Sequence, residues 1–111
     1  RFPPRTARLV GAAGGRARAF FAGHVHALEH LSLGSLDVFP SGSTAMGGFM
    51  RMRRVQPARA VARFATDAWG YAVLEVDAAG GWGVRFHDVQ GEPLYCCAAS
   101  PEGPCRAVNC G

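Results

Sequence analysis

The sequence predicts an α+β fold in which one short helix is followed by about six mostly antiparallel strands. Residues 5–14 have the composition of a short helix. Between residues 17 and 39, short apolar runs bounded by glycine and serine are typical of buried strands. Residues 70–99 alternate or run apolar between glycine-containing turns, which predicts an antiparallel meander.

The first half of the chain divides into a helix and three strands. Thr6 can cap the helix, and Gly14-Gly15 ends it. Turn residues between Ser32 and Ser35 separate the second strand from the third. The three predicted strands lie at residues 17–22, 27–33 and 36–39.

The second half contains a loop, three strands and a tail. Residues 49–63 contain five arginines, and no acidic residue lies between Asp37 and Asp67, so this segment is either a solvated loop or a basic patch. The tail, residues 100–111, has the proline and glycine content of an irregular end. The predicted strands lie at residues 70–77, 81–88 and 93–99.

Length and charge exclude several classes of protein. At 111 residues the chain is one small domain or part of one. A net charge of +4 spread along the chain does not indicate a nucleic-acid partner, and no run approaches the ~20 apolar residues of a membrane helix. The chain opens on Arg1 followed by Pro3-Pro4, so we expect the natural start to lie upstream.

Three of the four histidines lie within seven residues, in the stretch "AFFAGHVHALEH". On extended backbone, residues such as His24 and His26 point to the same side with Cα atoms roughly 6 to 7 Å apart, which suits two ligands of one metal or of a close metal pair. Gly23 gives an ion room to approach. Two alternatives stay open: a surface strand with two exposed imidazoles, and an isolated zinc site completed by His30.

The stretch "AGHVHALE", residues 22–29, resembles the Gly-His-x-His block of the purple acid phosphatases within the calcineurin-like metallophosphoesterases. The Ser-Gly-rich segment "VFPSGSTAMGGF" and the closing strands also follow the pattern of that family. The resemblance extends from Ala17 to about Ser100, although only Gly23, His24 and His26 are specific. It implies a fold in which this chain is the C-terminal part of a β-sandwich flanked by helices.

The resemblance also implies chemistry. His24 would bind the divalent ion (Fe, Zn or Mn) of a dinuclear metal centre, and His26 would bind its Fe(III). Two adjacent cations bind phosphate oxygens and activate a bound hydroxide. The implied substrate is a phosphorylated small molecule or protein, hydrolysed as a phosphomonoester. No catalytic residue beyond these ligands is visible in the sequence.

The family's other ligand blocks, Asp-x-Gly, Gly-Asp-x-x-Tyr and Gly-Asn-His, do not occur in this sequence. Two imidazoles without carboxylates cannot hold two multivalent cations. We therefore expect a fragment of the enzyme that is inactive alone and needs the remainder of the enzyme or a larger assembly. The alternative is a non-catalytic structural or interaction subunit that retains the phosphoesterase sheet, with the basic segment as its contact surface.

These expectations divide residues 1–111 into four regions. They are the metal-ligand strand and loop (17–33), the basic variable loop (49–63), the antiparallel meander (70–99) and the Cys-containing tail (100–111). The basic loop could also steer phosphorylated substrates toward the metals.

The four cysteines lie at the end of the sequence, at positions 96, 97, 105 and 110. Cys96 and Cys97 are neighbours on a strand and point to opposite faces, so each needs a different partner, such as Cys105 or Cys110. Disulfides are favoured over a zinc knuckle because no Cys-x-x-Cys pair exists. They agree with a secreted or lumenal, including lysosomal, location. His87, beside Asp88, is expected to be structural.

Overall fold

A computed structural model describes Arg8 and residues 16–23, 27–41 and 61–111 of the chain. These residues form eight strands in two four-stranded sheets. The strands are β1 (Ala19–Ala22), β2 (Leu28–Leu33), β3 (Leu36–Pro40), β4 (Val61–Thr66), β5 (Gly70–Val76), β6 (Trp82–Asp88), β7 (Pro93–Ala99) and β8 (Arg106–Val108).

The α+β prediction is wrong, because 61% of the described residues lie in strands and these residues include no helical element. The helix predicted at residues 5–14 lies, except for Arg8, outside the described part of the chain. The six predicted strands correspond to β1, β2, β3, β5, β6 and β7.

Two strands were missed, and in both cases tertiary pairing outweighs the local sequence. Strand β4 begins inside the predicted basic loop and pairs with β2, which supplies its hydrogen-bond partners. Strand β8 lies in the predicted irregular tail and pairs with β7. Both disulfides connect β7 to the chain that flanks β8.

The first sheet has the strand order β1-β3-β2-β4. Strands β2 and β3 form a hairpin through Gly34, which has a positive φ of 61° that glycine adopts without strain. Strand β3 also pairs in parallel with β1, so it lies between two strands that precede it in the sequence. As a result, β1 and β3 end at the same edge of the sheet.

The second sheet is the predicted meander, in the order β5-β6-β7-β8. Its first two turns have the same hydrogen-bond pattern. Asp77 Oδ1 accepts N–H bonds from residues 79 and 81, and Asp88 Oδ1 accepts them from residues 90 and 92. Gly80 and Gly91, three residues after each aspartate, take positive φ. The repeated Asp-x-x-Gly pattern therefore fixes the register of three strands.

The two sheets face each other across a shared core. The core joins Leu28 and Phe39 from the first sheet to Val84 and Phe86 from the second, and all four are fully buried. The rings of Phe39 and Phe86 meet edge to face at 6.3 Å. The Cys97–Cys105 disulfide lies in the same cluster.

Apolar side chains also lie away from this core. On the opposite face of the first sheet, Leu31, Leu36 and Val38 form a second buried cluster. At the edge of the second sheet, β5 leaves Leu74 and Val76 exposed to 51% and 66%. An edge strand with exposed apolar residues is a place where further polypeptide can pack.

Candidate functional site

The predicted metal ligands His24 and His26 lie outside the described residues, which resume at Ala27. Gly23 is exposed just beyond β1, and a Cβ added to it would meet no atom within 4 Å. Ala27 is fully buried just before β2. The two predicted ligands therefore lie in the sequence between an exposed residue, Gly23, and a buried residue, Ala27.

The first sheet brings a second segment of chain to the end of β1. The Ser41 N–H, just after β3, donates to the Ala22 carbonyl at 2.8 Å. Ser41 also forms an isolated bridge with Leu28. The start of the Ser-Gly-rich segment thus lies beside the strand that precedes Gly23.

Among the described residues, no group of three or more histidine, cysteine, aspartate or glutamate side chains could hold a metal ion. His30 has no ring nitrogen free for a metal ion, because both nitrogens are hydrogen-bonded. Nε2 lies 2.7 Å from Asp37 Oδ1, and Nδ1 lies 2.7 Å from the Tyr95 hydroxyl. This arrangement counts against the isolated zinc site, which needs a free nitrogen on His30.

His30, Asp37 and Tyr95 form a buried hydrogen-bonded triad between the two sheets, hereafter the His30 triad. The hairpin turn pairs Ser32 with Asp37, so His30 and Asp37 lie diagonally on the core-facing side. Tyr95 approaches from β7 in the opposite sheet. The imidazole also stacks on Phe39, with ring centroids 4.6 Å apart.

Asp37 is only 2% exposed, and both of its carboxylate oxygens are hydrogen-bonded. Oδ1 pairs with His30, and Oδ2 accepts the Cys105 N–H at 3.0 Å. The Cys97–Cys105 disulfide holds that N–H in place from the second sheet. A carboxylate bonded in this way can orient the imidazole and fix which nitrogen carries its proton.

Burial raises the pKa of the Tyr95 phenol above its ordinary value of 10.0, and the Asp37 carboxylate raises it further. The Arg63 guanidinium acts in the opposite direction. The phenol therefore stays protonated at neutral pH and is able to donate to His30 Nδ1. Its ring stacks on Phe64 of β4 at 4.6 Å.

The His30 triad adjoins a groove of about 310 Å³, hereafter the β4–β8 groove. It is lined by Ser32, Arg63, Tyr95, Pro104, Cys105, Arg106 and Ala107. A bulge in the pairing of β2 with β4 leaves Arg63 as an extra residue opposite His30 and Leu31. Its Nε donates to Ser32 Oγ at 3.0 Å, which fixes the guanidinium against the groove.

A larger cavity, of about 430 Å³, lies against the second sheet near the Asp77 turn. Glu75 and Asp77 line it together with Arg85, and Arg85 Nε bonds Glu75 at 2.9 Å. Trp82 also lines this cavity, and its indole N–H is buried without a hydrogen-bond partner. Arg85 compensates the charge of Glu75, and the Asp77 carboxylate is bonded to the backbone N–H groups of its own turn.

Two further sequence predictions concern His87 and the cysteines. His87 is half-buried, stacks on Tyr71 at 5.2 Å and has Nδ1 3.1 Å from the Gly91 carbonyl, as expected of a structural residue. The cysteines form Cys96–Cys110 and Cys97–Cys105, so the two neighbours do have different partners. Two disulfides are compatible with an extracellular or otherwise oxidising environment.

Comparison of the chain with family models, with curated proteins and with solved structures gives no match. Within the described ranges, no helix is long and apolar enough to cross a membrane.

Sequence reasoning missed the His30 triad. His30 and Asp37 are seven positions apart, and Tyr95 follows 65 positions after His30. A signal was present in the first pair, because two polar residues at these distances from a tight hairpin turn lie diagonally to each other on one face. The contribution of Tyr95 depends on how the sheets pack, which no local pattern specifies.

Proposed function

We propose that this chain is the C-terminal part of a purple-acid-phosphatase-like metallophosphoesterase. In the intact protein, His24 and His26 bind a dinuclear centre of Fe(III) and a divalent iron, zinc or manganese ion. The enzyme hydrolyses phosphomonoesters of small molecules or proteins. The observation that carries this proposal is the Gly23-His24-Val25-His26 sequence immediately after a strand, β1.

The geometry around Gly23 supports the proposal. A metal ligand at the end of a strand needs a rigid strand behind it and free space ahead of it. Strand β1 is held by its parallel pairing with β3, and the Ser41 N–H bonds its last carbonyl. Gly23 has open space where a side chain would stand.

The residues of this chain supply only part of such a centre. Neutral imidazoles suit iron, zinc and manganese, and His24 and His26 would provide two of them. The carboxylate ligands must come from other blocks of the intact protein, because the described residues contain no suitable cluster. When bound, the metal pair would supply Lewis acidity toward the phosphate and an activated hydroxide.

A histidine comparison in the complete gene product tests this proposal. Metal content and p-nitrophenyl phosphate hydrolysis are measured for the wild type, His24→Ala, His26→Ala and the matched control His87→Ala. We expect about two metal ions per chain in the wild type, loss of metal and at least ~100-fold lower hydrolysis in the first two variants, and little change in the control. Hydrolysis that survives both ligand variants would refute the proposal.

A second candidate is the non-catalytic structural or interaction subunit, in which β5 is the contact. The exposed Leu74 and Val76 on this edge strand favour it. A complete gene product that begins near Arg1 and binds no metal, but forms a stable complex that Leu74→Asp weakens, would decide for this candidate. The secreted or lysosomal location stays part of the enzyme proposal.

A further inference from the structure

The β4–β8 groove concentrates positive charge and hydrogen-bond donors at the junction of the two sheets. Arg63 and Arg106 line it from β4 and β8, and none of its described lining residues is acidic. Elsewhere on the surface, Arg85 is paired with Glu75. A concave surface with two guanidinium groups attracts an anion more strongly than scattered arginines do.

The groups in this groove are held in position. The Arg63 Nε is bonded to Ser32 Oγ, which leaves the outer nitrogens of the guanidinium for another partner. Since the Ser32 oxygen accepts that bond, its own O–H remains available as a donor. The Tyr95 ring forms a rigid wall because its hydroxyl is bonded to His30 and its ring stacks on Phe64.

The β2–β4 bulge explains why Arg63 is at this position. In a regular pairing, alternation would place Arg63 on the face opposite Phe64, away from the core side. The bulge makes Arg63 an extra residue, and its side chain reaches Ser32 on the core-facing side. Bulges that re-aim a side chain in this way are frequent next to functional sites.

We propose that the β4–β8 groove binds a small tetrahedral oxyanion, phosphate or sulfate, between the guanidinium groups of Arg63 and Arg106 with the Ser32 hydroxyl as a further donor. Guanidinium groups match the oxygens of such anions in charge and geometry. The disulfide Cys97–Cys105 holds the Pro104 to Ala107 wall against β7, and the Cys105 N–H bond to Asp37 holds it against the first sheet, so the groove is preorganised.

This groove is distinct from the proposed metal centre. Ser32 lies four residues along β2 from Leu28, or roughly 13 Å on an extended strand. Gly23 and Ala27 lie toward the Leu28 end. The oxyanion site uses neither His24 nor His26, so its binding survives removal of metal.

Isothermal titration of the metal-free, oxidised complete gene product with sodium sulfate and sodium phosphate, at constant ionic strength, tests the proposal. We expect saturable 1:1 binding that Arg63→Gln and Arg106→Gln each weaken about five- to tenfold. The control Arg85→Gln removes the same charge and should weaken binding less than about twofold. Arg63→Lys keeps the positive charge but lacks the forked donors of the guanidinium, so it should retain only part of the wild-type affinity.

Two titration results would overturn the proposal. One is the absence of saturable binding for both anions, and the other is an equal loss in the Arg85 control, which would indicate a response to net charge alone. Arg63 and Arg106 are exposed, so their replacement should leave the thermal transition unchanged. Amide shifts on sulfate addition must centre on Ser32 and Ala107; shifts centred elsewhere would also refute the site.

Discussion

His30 is fully buried, and its two ring nitrogens are each bonded to a different strand, so the triad ties three strands together. A buried polar group of this kind contributes little while its partners are present but costs much when one is removed. The Tyr95 hydroxyl is the partner that can be removed with the smallest change in shape. Replacing this one residue therefore tests how much the triad contributes to stability.

Tyr95→Phe should lower the free energy of unfolding by about 1–3 kcal/mol at pH 7, because it leaves His30 Nδ1 without its partner. The exposed Tyr71→Phe change removes a phenol without this effect and serves as the control. Urea unfolding followed by tryptophan fluorescence measures both. Equal stabilities for the two variants would contradict the structural role of the triad.

The raised pKa of Tyr95 adds a dependence on pH. The folded state holds the phenolic proton more tightly than the unfolded state does, so this stabilisation is complete below the unfolded pKa of about 10 and is lost as pH rises through the folded pKa. The wild type should therefore lose stability more steeply than Tyr95→Phe as the pH rises above about 10. Parallel curves for the two proteins would argue against a buried phenol.

At the scale of elements, sheet pairing is fixed by close backbone approaches as well as by turns. Gly70 begins β5 opposite Asp88 and is buried. A Cβ added there would collide with the His87 backbone carbonyl and press on the Leu28 side chain. The glycine thus allows the first strand of the meander to pass close to both β6 and β2.

Gly70→Ala should lower the free energy of unfolding by about 1–3 kcal/mol, because the methyl group meets backbone that cannot move without breaking the β5–β6 ladder. Gly23→Ala provides the matched control, since its methyl group would meet no atom within 4 Å. Thermal unfolding of both variants by circular dichroism measures the difference. A Gly70→Ala protein as stable as the control would show that β5 can shift.

At the scale of the whole molecule, two disulfides join β7 to the last residues of the chain. They close loops of 14 and 8 residues in sequence separation. Loop-closure entropy predicts that each disulfide stabilises the protein by about 2.5–3 kcal/mol, and that the longer loop, Cys96–Cys110, contributes only about 0.5 kcal/mol more. Burial adds to the contribution of the disulfide with the shorter loop, because Cys97 and Cys105 belong to the core cluster and the Cys105 N–H donates to Asp37.

Core burial exceeds that small entropic difference, so we expect Cys97→Ala/Cys105→Ala to destabilise the protein more than Cys96→Ala/Cys110→Ala. The first pair should also loosen Asp37 and, through it, His30. Urea unfolding gives the stabilities, and the His30 ring signals in NMR report on the triad. The reverse order of stabilities would indicate that the tail matters only through chain entropy.

The sequence by itself determined six strands, both glycine-containing turns of the meander and the separate partners of Cys96 and Cys97, because alternation, turn chemistry and strand geometry are local properties. It also supplied the Gly23-His24-Val25-His26 motif on which the proposed function depends. Only the tertiary structure decided the all-β class of the described residues, since β4 and β8 are strands through their pairing with β2 and β7. The His30 triad and the groove likewise combine residues far apart in sequence, which only the packing of two sheets brings within hydrogen-bond distance.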